Sequence, residues 1–157
     1  MNRPEALNAL NTEIRTLLSE AWNKFEDSND LEVAIFTGSG RGFCAGEDMK
    51  EALQAGKPGF SKPLERPDPF MTDNLTKPVI GAVNGFAMGG GFMLVERTDL
   101  RLAVRGTLFE MSEAKRWMLG GWNHGHVANL PFPSATEMAF AYRISSERMY
   151  ELGFVNR

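Results

Sequence analysis

The chain has 157 residues, of which 43% are apolar, enough for one domain with a buried core and too few for two. Its formal net charge of −3 gives no basic excess that would attract a nucleic acid or an anionic membrane. The single cysteine, Cys44, cannot form an internal disulfide, and no apolar run has the length of a signal sequence or a membrane span. We therefore expect a cytoplasmic protein whose partners are neither nucleic acids nor membranes.

The first predicted helix begins at Asn11 or Thr12, either of which can cap it. Apolar residues then recur at helical spacing along one face, namely Ile14, Leu17, Leu18, Ala21, Trp22 and Phe25. Residues 33–37 are nearly all apolar and rich in β-branched side chains, which is typical of a buried strand. Residues 78–83 are predicted to form a second buried strand, and residues 100–104 a third strand. Strands that alternate with helices favour a parallel sheet with right-handed crossovers.

Glycine-rich segments follow the first two predicted strands, at 38–46 and 89–91. The first is predicted to be a loop that leads into a short helix, and the second opens a helix directly. Neither has the glycine-lysine ending of a Walker loop, and Phe43 stands where a dinucleotide fingerprint needs its third glycine. Two tight strand-to-helix turns are the simplest interpretation. Two such turns at neighbouring parallel strands can also point backbone amides at one carbonyl oxygen, which is the geometry of an oxyanion hole.

The remaining segments suggest a loop and two further helices. Residues 55–73 contain glycines and four prolines with little periodicity, which predicts a mobile surface loop. Residues 134–137 have the pattern of a capping box that starts a helix. Ser145 or Ser146 can cap another helix that ends near Gly153. No repeat or internal domain boundary is apparent.

Four segments together resemble the enoyl-CoA hydratase/isomerase (crotonase) family in their order and spacing. They are NRPEALNALN at 2–11, GSGRGFCAGED at 38–48, KPVIGAVNGFAMGGG at 77–91 and the stretch 144–157. The resemblance implies an α/β fold with a crotonase-like core of repeated β-β-α units. It also implies that residues 1–157 form one core domain that is incomplete at both ends, with the C-terminal helical segment of the family missing.

The same resemblance implies a coenzyme A thioester as the substrate, with no separate cofactor. In relatives the backbone amides at the positions of Glu47 and Gly90 hold the thioester oxygen. The resemblance further places along the CoA the residues Ala6, Ala45, Glu47, Asp48 and Met49. A homo-oligomer, a trimer or a dimer of trimers, is expected on the same grounds. Without the resemblance, the Glu47 side chain would be interpreted as a solvated carboxylate at the start of a helix.

The acid/base carboxylates distinguish reactions within this family. Hydratases resemble one another in having two glutamates, and the first of these positions is Met93 here. Glu113 matches the second position, with Ser112 in place of the usual proline. Two carboxylates can activate water and deliver a proton, whereas one can move a proton between two carbons. An isomerase-type reaction is therefore our first interpretation, with a hydratase, hydrolase or lyase, or a catalytically silent binding or scaffold subunit, as alternatives. Taken alone, Glu113 would be an ordinary surface carboxylate.

Residues 115–126 depart from the usual pattern of the family. Gly121 stands where some members have a catalytic aspartate, so that mechanism is not expected. His124 and His126 are the only two histidines, and without a third ligand they do not predict a metal site. His124 and the position of Met93 are possible auxiliary sites for acid/base chemistry, although a loop histidine is the simpler interpretation. Cys44 is predicted to be a packed residue and not an activated thiolate.

Overall fold

The structure, a computed structural model, describes residues 1–56, 63–116 and 121–157, and at 121–123 it describes the backbone. Within these ranges the helices are α1 Thr12–Asp27, α2 Met49–Ala55, α3 Gly90–Glu96, α4 Gly121–Val127, α5 Phe132–Ala139 and α6 Ser146–Glu151. The strands are β1 Ala34–Thr37, β2 Gly42–Cys44, β3 Val79–Val83, β4 Phe86–Met88, β5 Leu100–Ala103, β6 Leu108–Glu110 and β7 Ile144–Ser145. Short 3₁₀ helices cover Pro4–Ala6 and Ser112–Arg116. No helix in the described ranges is long and apolar enough to cross a membrane.

The strands form two sheets, and consecutive strands from β1 to β6 belong to one sheet and the other in turn. One sheet has the order β1-β3-β5, and the other has the order β2-β4-β6-β7. All pairs are parallel except β6 with β7. Each pair of consecutive strands thus gives its first strand to one sheet and its second strand to the other, and a helix follows the first two pairs. This arrangement confirms the predicted α/β core of repeated β-β-α units.

The second strand of each unit was missed in the sequence. The strands β2, β4 and β6 have only three residues each, which is too short for an alternating pattern to be recognised. The predicted loop 38–46 therefore contains a strand, at Gly42–Cys44. Gly42 pairs with Phe86, and a Cβ at Gly42 would lie 2.5 Å from the Phe86 ring. The two glycine turns consequently follow β2 and β4, and not the predicted strands 33–37 and 78–83.

Helix α1 packs on the core through a narrower face than predicted. Ile14, Trp22 and Phe25 are buried, whereas Leu17 is 55% exposed. The Trp22 indole stacks on Phe70 with ring centroids 4.6 Å apart. Because Phe70 is only 3% exposed, the prediction of a surface loop over 55–73 is wrong at this point. A large aromatic ring in that stretch has a partner in the core, and residues 57–62 of the predicted loop lie outside the described residues.

The predicted helix caps were partly correct. Asn11 accepts a hydrogen bond from the amide of Ile14 at 2.9 Å, and Ser145 accepts one from the amide of Arg148 at 3.3 Å. The capping box at 134–137 is wrong, because α5 already begins at Phe132. The proline that follows is favoured in the first turn of a helix, and it marks the true start.

Candidate active site

Two glycines with positive φ angles follow β2 and β4 at the same edge of the second sheet. Gly46 has φ +89° and Gly89 has φ +51°, a region that favours glycine because a Cβ is strained there. The next residues are Glu47 and Gly90, the two whose amides are predicted to hold a thioester oxygen. Since β2 and β4 are parallel neighbours, the two turns leave the sheet side by side.

The two turns are in close contact at these amides. A Cβ built on Gly90 would lie 3.8 Å from the Cα of Gly46 and 4.0 Å from the backbone nitrogen of Glu47. Gly90 is the first residue of α3, where amides have no carbonyl partner within the helix. The described geometry therefore brings both predicted amides to one place, as an oxyanion hole requires.

The N-terminal segment holds the first turn in position through its backbone. The amide of Leu10 donates to the carbonyl of Gly46 at 2.7 Å, and the amide of Asp48 donates to the carbonyl of Leu10 at 3.2 Å. The amide of Ala45 donates to the carbonyl of Leu7 at 3.0 Å. The backbone of Leu7 and Leu10, which are remote in sequence, therefore holds the residues on both sides of Glu47 in place.

Asp48 is largely buried and is engaged in structure. Its carboxylate accepts hydrogen bonds from the amides of Lys50 at 3.0 Å and Glu51 at 3.3 Å, which caps α2. It also pairs with the guanidinium of Arg3 at 2.5 Å. The hydrogen bond from Arg3 is the main cause that lowers the pKa of Asp48. Ala6 is half-buried in the 3₁₀ helix Pro4–Ala6, and the next residue, Leu7, accepts the hydrogen bond from the amide of Ala45.

A cavity of about 1210 Å³ opens next to the two turns. Six of the predicted site residues line it, namely Ala45, Glu47, Met49, Gly90, Met93 and Glu113. Ala6, Asp48 and His124 are not among its lining residues. Most of the remaining wall is apolar and includes Leu18, Trp22, Leu53, Met71 and Leu94. This wall was not predicted, because residues from α1, α2, α3 and the segment after 62 meet only in the folded chain.

Glu113 reaches this cavity from a third neighbouring strand. It lies in the 3₁₀ helix that follows β6, and β6 is the parallel neighbour of β4. The strands β2, β4 and β6 therefore deliver Glu47, Gly90 and Glu113 to one edge of the sheet. The Oε2 atom of Glu113 is buried and has no hydrogen-bond partner among the described residues. Such an oxygen is available to a group on a bound ligand.

The carboxylate of Glu47 is held by α1. It forms a short ion pair with the guanidinium of Arg15, and both residues line the cavity. Arg15 was not predicted as a site residue. Its position between the apolar residues Ile14 and Leu18 was the available signal, since the helix face toward the core also faces the cavity.

His124 lies outside the cavity lining and forms a hydrogen bond with a buried carboxylate. Its Nδ1 atom is 2.7 Å from Oε1 of Glu96, whose side chain is fully buried. This hydrogen bond is the main cause that raises the pKa of His124 above its ordinary value of 6.5. Glu96 was missed in the sequence. A carboxylate at the end of the apolar helix α3 was the signal that could have identified it.

The other candidates have structural surroundings. Burial raises the pKa of the Cys44 thiol to about 11, so it stays protonated at neutral pH and behaves as the predicted packed residue. The His126 ring lies 5.6 Å from that of Phe132. In the described part of the chain, no group of three or more His, Cys, Asp and Glu side chains could hold a metal ion.

Comparison with known proteins identifies the family. Residues 1–157 match the sequence model of the family described as Enoyl-CoA hydratase/isomerase. The chain belongs to this family, and its core has the crotonase-like fold.

The names of individual relatives describe several different activities. The chain is 37% identical to enoyl-CoA hydratase EchA19 of Mycobacterium tuberculosis, over 99% of this chain and 61% of that protein. It is 33% identical to 1,2-epoxyphenylacetyl-CoA isomerase of Escherichia coli, over 99% of this chain and 63% of the relative. A crystal structure of a probable enoyl-CoA hydratase/isomerase from Mycobacterium abscessus matches with a TM-score of 0.85 and 37% identity, over 100% of this chain and 62% of that one. The chain thus spans about three fifths of these relatives.

Proposed function

We propose that the protein binds an acyl-CoA thioester and catalyses an isomerase-type proton transfer with Glu113 as the base. One observation carries this proposal. The edge formed by β2, β4 and β6 brings Glu47, Gly90 and Glu113 into one cavity, where the Glu113 carboxylate has an oxygen without a partner among the described residues. The family acts on CoA thioesters, which supports the substrate class.

The reaction needs two coupled parts. The thioester carbonyl oxygen accepts hydrogen bonds from the amides of Glu47 and Gly90. Glu113 removes a proton from a carbon next to the thioester, and the bonding electrons move onto the carbonyl oxygen to form an enolate. The protonated Glu113 then returns the proton to a carbon further along the acyl chain, so the double bond moves. No water or oxidant is consumed. One oxyanion-hole donor contributes about 3 to 4 kcal/mol to such a transition state.

The cavity wall supports an apolar acyl group as the substrate. Trp22, Met71 and Leu94 line the cavity with the apolar residue Met93, and burying apolar substrate surface against them is favourable. On the same family grounds we propose that Ala6, Ala45, Asp48 and Met49 lie along the CoA and that the assembly is a homo-oligomer.

Hydration or dehydration is the second candidate, and the hydratase name of the relative EchA19 favours it. Met93 occupies the position where the family's hydratases have their first glutamate. Water activation would then depend on Glu113 and another group, for which His124 is the auxiliary candidate. The two reactions differ in product, because hydration adds water to the double bond and isomerisation does not.

The test is to incubate the protein with an enoyl-CoA in deuterated water and to analyse the products by mass spectrometry. Isomerisation predicts a shifted double bond without added water. Glu113→Gln keeps the side-chain shape and removes the base, so turnover should fall about 10²-fold or more while acyl-CoA affinity stays within a few-fold. Glu137→Gln, at an exposed carboxylate on α5, is the matched control and should behave as the unmodified protein.

Each other outcome argues against a stated part of the proposal. A hydroxyacyl-CoA product would favour hydration. Acyl-CoA binding without any turnover would indicate a silent binding or scaffold subunit. Full turnover of Glu113→Gln would show that another group is the base.

A further inference from the structure

The cavity beside the two turns extends along helix α1. At one end is Leu10, whose terminal methyl carbon would lie 3.0 Å from a Cβ built on Gly90. Further along the chain, Trp22 also lines the cavity. The helical stretch from Thr12 to Trp22 is about 15 Å long at the usual rise per residue. The cavity therefore continues well beyond the place where a thioester oxygen is proposed to bind.

The segment that contains Asp68 forms the wall at the far end. The side-chain amide of Asn23 donates to the carbonyl of Pro67 at 3.1 Å, and the Trp22 indole stacks on Phe70 with ring centroids 4.6 Å apart. Asp68 stands between Pro67 and Phe70 in the sequence and lines the cavity. These contacts fix Asp68 against the part of α1 that is remote from the two turns.

The Asp68 carboxyl group is only partly used by its own segment. The residue is 7% exposed, and its Oδ1 atom accepts hydrogen bonds from the amides of Phe70 at 2.9 Å and Met71 at 3.2 Å. Among the described residues no hydrogen bond reaches its Oδ2 atom. Burial is the main cause that raises the pKa of Asp68 above its ordinary value of 3.8, and the two amides and the charge of Arg97 oppose it. A buried carboxyl oxygen is costly to leave unbonded, so a polar group of a ligand would be stabilised there.

A hydrogen-bond donor at the same end of the cavity also lacks a partner. The Nε1 atom of Trp22 is buried and has no hydrogen-bond partner within the described ranges. Buried indole N–H groups usually have one. Leu18, about one helical turn before Trp22, is apolar and also lines the cavity. An apolar stretch of wall thus leads to an end that has one donor and one acceptor to satisfy.

We propose that this end of the cavity binds a hydroxyl group at the end of the acyl chain of the substrate. A hydroxyl group donates one hydrogen bond and accepts others, so it can donate to Oδ2 of Asp68 and accept from Nε1 of Trp22. A methyl group would leave both without a partner, and a carboxylate would bring a second acidic group beside Asp68. The substrate class is therefore an acyl-CoA with an apolar chain that ends in a hydroxyl group. This inference rests on the proposed function, which puts the thioester oxygen at the two turns.

The test measures the binding of saturated acyl-CoA esters, which have no double bond to move, by isothermal titration calorimetry. Three esters of each chain length from hexanoyl to dodecanoyl differ only at the chain end, which is a methyl, hydroxyl or carboxylate group. At the length that spans the cavity, the hydroxyl ester should bind about 10-fold more tightly than the methyl ester. Equal affinities of these two esters at every length would overturn the inference. Tightest binding of the carboxylate ester would also overturn it, because the subsite would then take an anion.

Two variants test the residues that carry the preference. Trp22→Phe keeps an aromatic ring for the stack and removes the N–H group. Asp68→Ser keeps an oxygen that can cap the turn and removes the second oxygen. In each variant the ratio of the two affinities, hydroxyl ester to methyl ester, should fall toward one. Asp73→Asn is the matched control, because this exposed carboxylate of the same segment lies outside the cavity lining, and the ratio should stay as in the unmodified protein. Variants that weaken both esters equally would indicate a structural role and contradict the inference.

The failure of this inference differs from the failure of the proposed function. If an enoyl-CoA is isomerised but the esters show no preference for a hydroxyl end, the proposed function stands and this inference fails. If the hydroxyl ester is preferred but no enoyl-CoA is isomerised, the subsite stands and the proposed reaction is wrong. If Asp68→Ser does not fold, the ester series and Trp22→Phe still decide whether the subsite exists.

Discussion

On one side of the cavity the candidate chemistry belongs to the backbone, at the turns that contain Gly46 and Gly89. On the other side it belongs to side chains, with Glu113 in the wall and the pair of Glu96 and His124 on the helices α3 and α4. The backbone side is built from two short segments, and the glycines within each segment specify the conformation of its turn. The side-chain side is assembled from α3, α4 and the 3₁₀ helix Ser112–Arg116.

This difference indicates how each side tolerates change. The backbone side depends on glycine at specific angles and close contacts, so added atoms should damage it while charge changes nearby should not. The side-chain side depends on charge balance, so isosteric replacements that alter charge should have the larger effects there. The predictions below test this comparison, from the largest expected effect to the smallest.

Gly90→Val should remove most of the activity and leave the fold intact. The added Cβ would lie 3.0 Å from a terminal methyl carbon of Leu10, which can move, and 4.0 Å from the nitrogen of Glu47. The branched side chain would then fill the space where the thioester oxygen is proposed to bind. We expect turnover to fall by about 10²- to 10³-fold, as for loss of an oxyanion-hole donor. Steady-state kinetics with a thermal melt of the same variant checks this, and full activity in a folded variant would place the hole elsewhere.

Gly91→Ala should affect folding instead of chemistry. A Cβ at Gly91 would lie 2.4 Å from the carbonyl oxygen of Cys44, which is backbone and cannot easily move. We expect a loss of about 2 to 3 kcal/mol in the free energy of unfolding, measured with urea, which is the upper part of the usual cost of overpacking. Gly56→Ala is the matched control, because its Cβ would meet nothing within 4 Å and its positive φ costs about 1 kcal/mol. Equal losses in the two variants would contradict the close contact.

Asp48→Ala should lower the stability at neutral pH by about 1 kcal/mol, since it removes the cap of α2 and the partner of Arg3. Asp48→Asn keeps a capping oxygen and removes only the charge, so its loss should be smaller. The folded-state pKa of Asp48 lies below its ordinary value of 3.8. The charge-dependent stabilisation is therefore complete well above pH 3.8 and disappears as the pH falls through the lower folded value. Urea titrations from pH 7 to pH 2 should therefore bring Asp48→Asn and the unmodified protein together, whereas Asp48→Ala should stay less stable because it lacks the capping oxygen. A constant difference between Asp48→Asn and the unmodified protein would contradict this.

Met93→Glu should produce slow hydration at most. The side chain lines the cavity among apolar residues, where a new carboxyl group tends to stay protonated. Product analysis with an enoyl-CoA measures the hydroxyacyl-CoA formed. Met93→Gln is the control for size and polarity. Strong hydration by the unmodified protein would contradict the importance given to this position.

The sequence predicted which two turns of the backbone side lie together. The glycine segments and the family resemblance pointed to Glu47 and Gly90, and the structure brings these residues together. The strands before the turns were missed, since three residues in a glycine-rich stretch carry no period. A local sequence pattern predicts one helix, strand or turn at a time. The prediction is best where the segment can adopt few other conformations.

The side-chain side was only partly predictable. The family pattern pointed to Glu113, and the ordinary pKa of an imidazole near neutrality made His124 a candidate, but Glu96 is 28 residues away from His124 and no spacing rule links them. Phe70 was likewise assigned to a surface loop, because nothing local shows that Trp22 lies opposite. Contacts of this kind depend on how helices dock, which a single sequence does not display.

The bracing of the first turn by Leu10 also has a consequence for the order of folding. The partners Leu10 and Gly46 are far apart in sequence, and closing such a loop costs entropy before its hydrogen bonds form. The second turn closes locally between β4 and α3. We therefore expect hydrogen exchange during refolding to protect the amide of Met93, which donates to the carbonyl of Gly89, before that of Leu10, so that the two halves of the proposed oxyanion hole mature at different times.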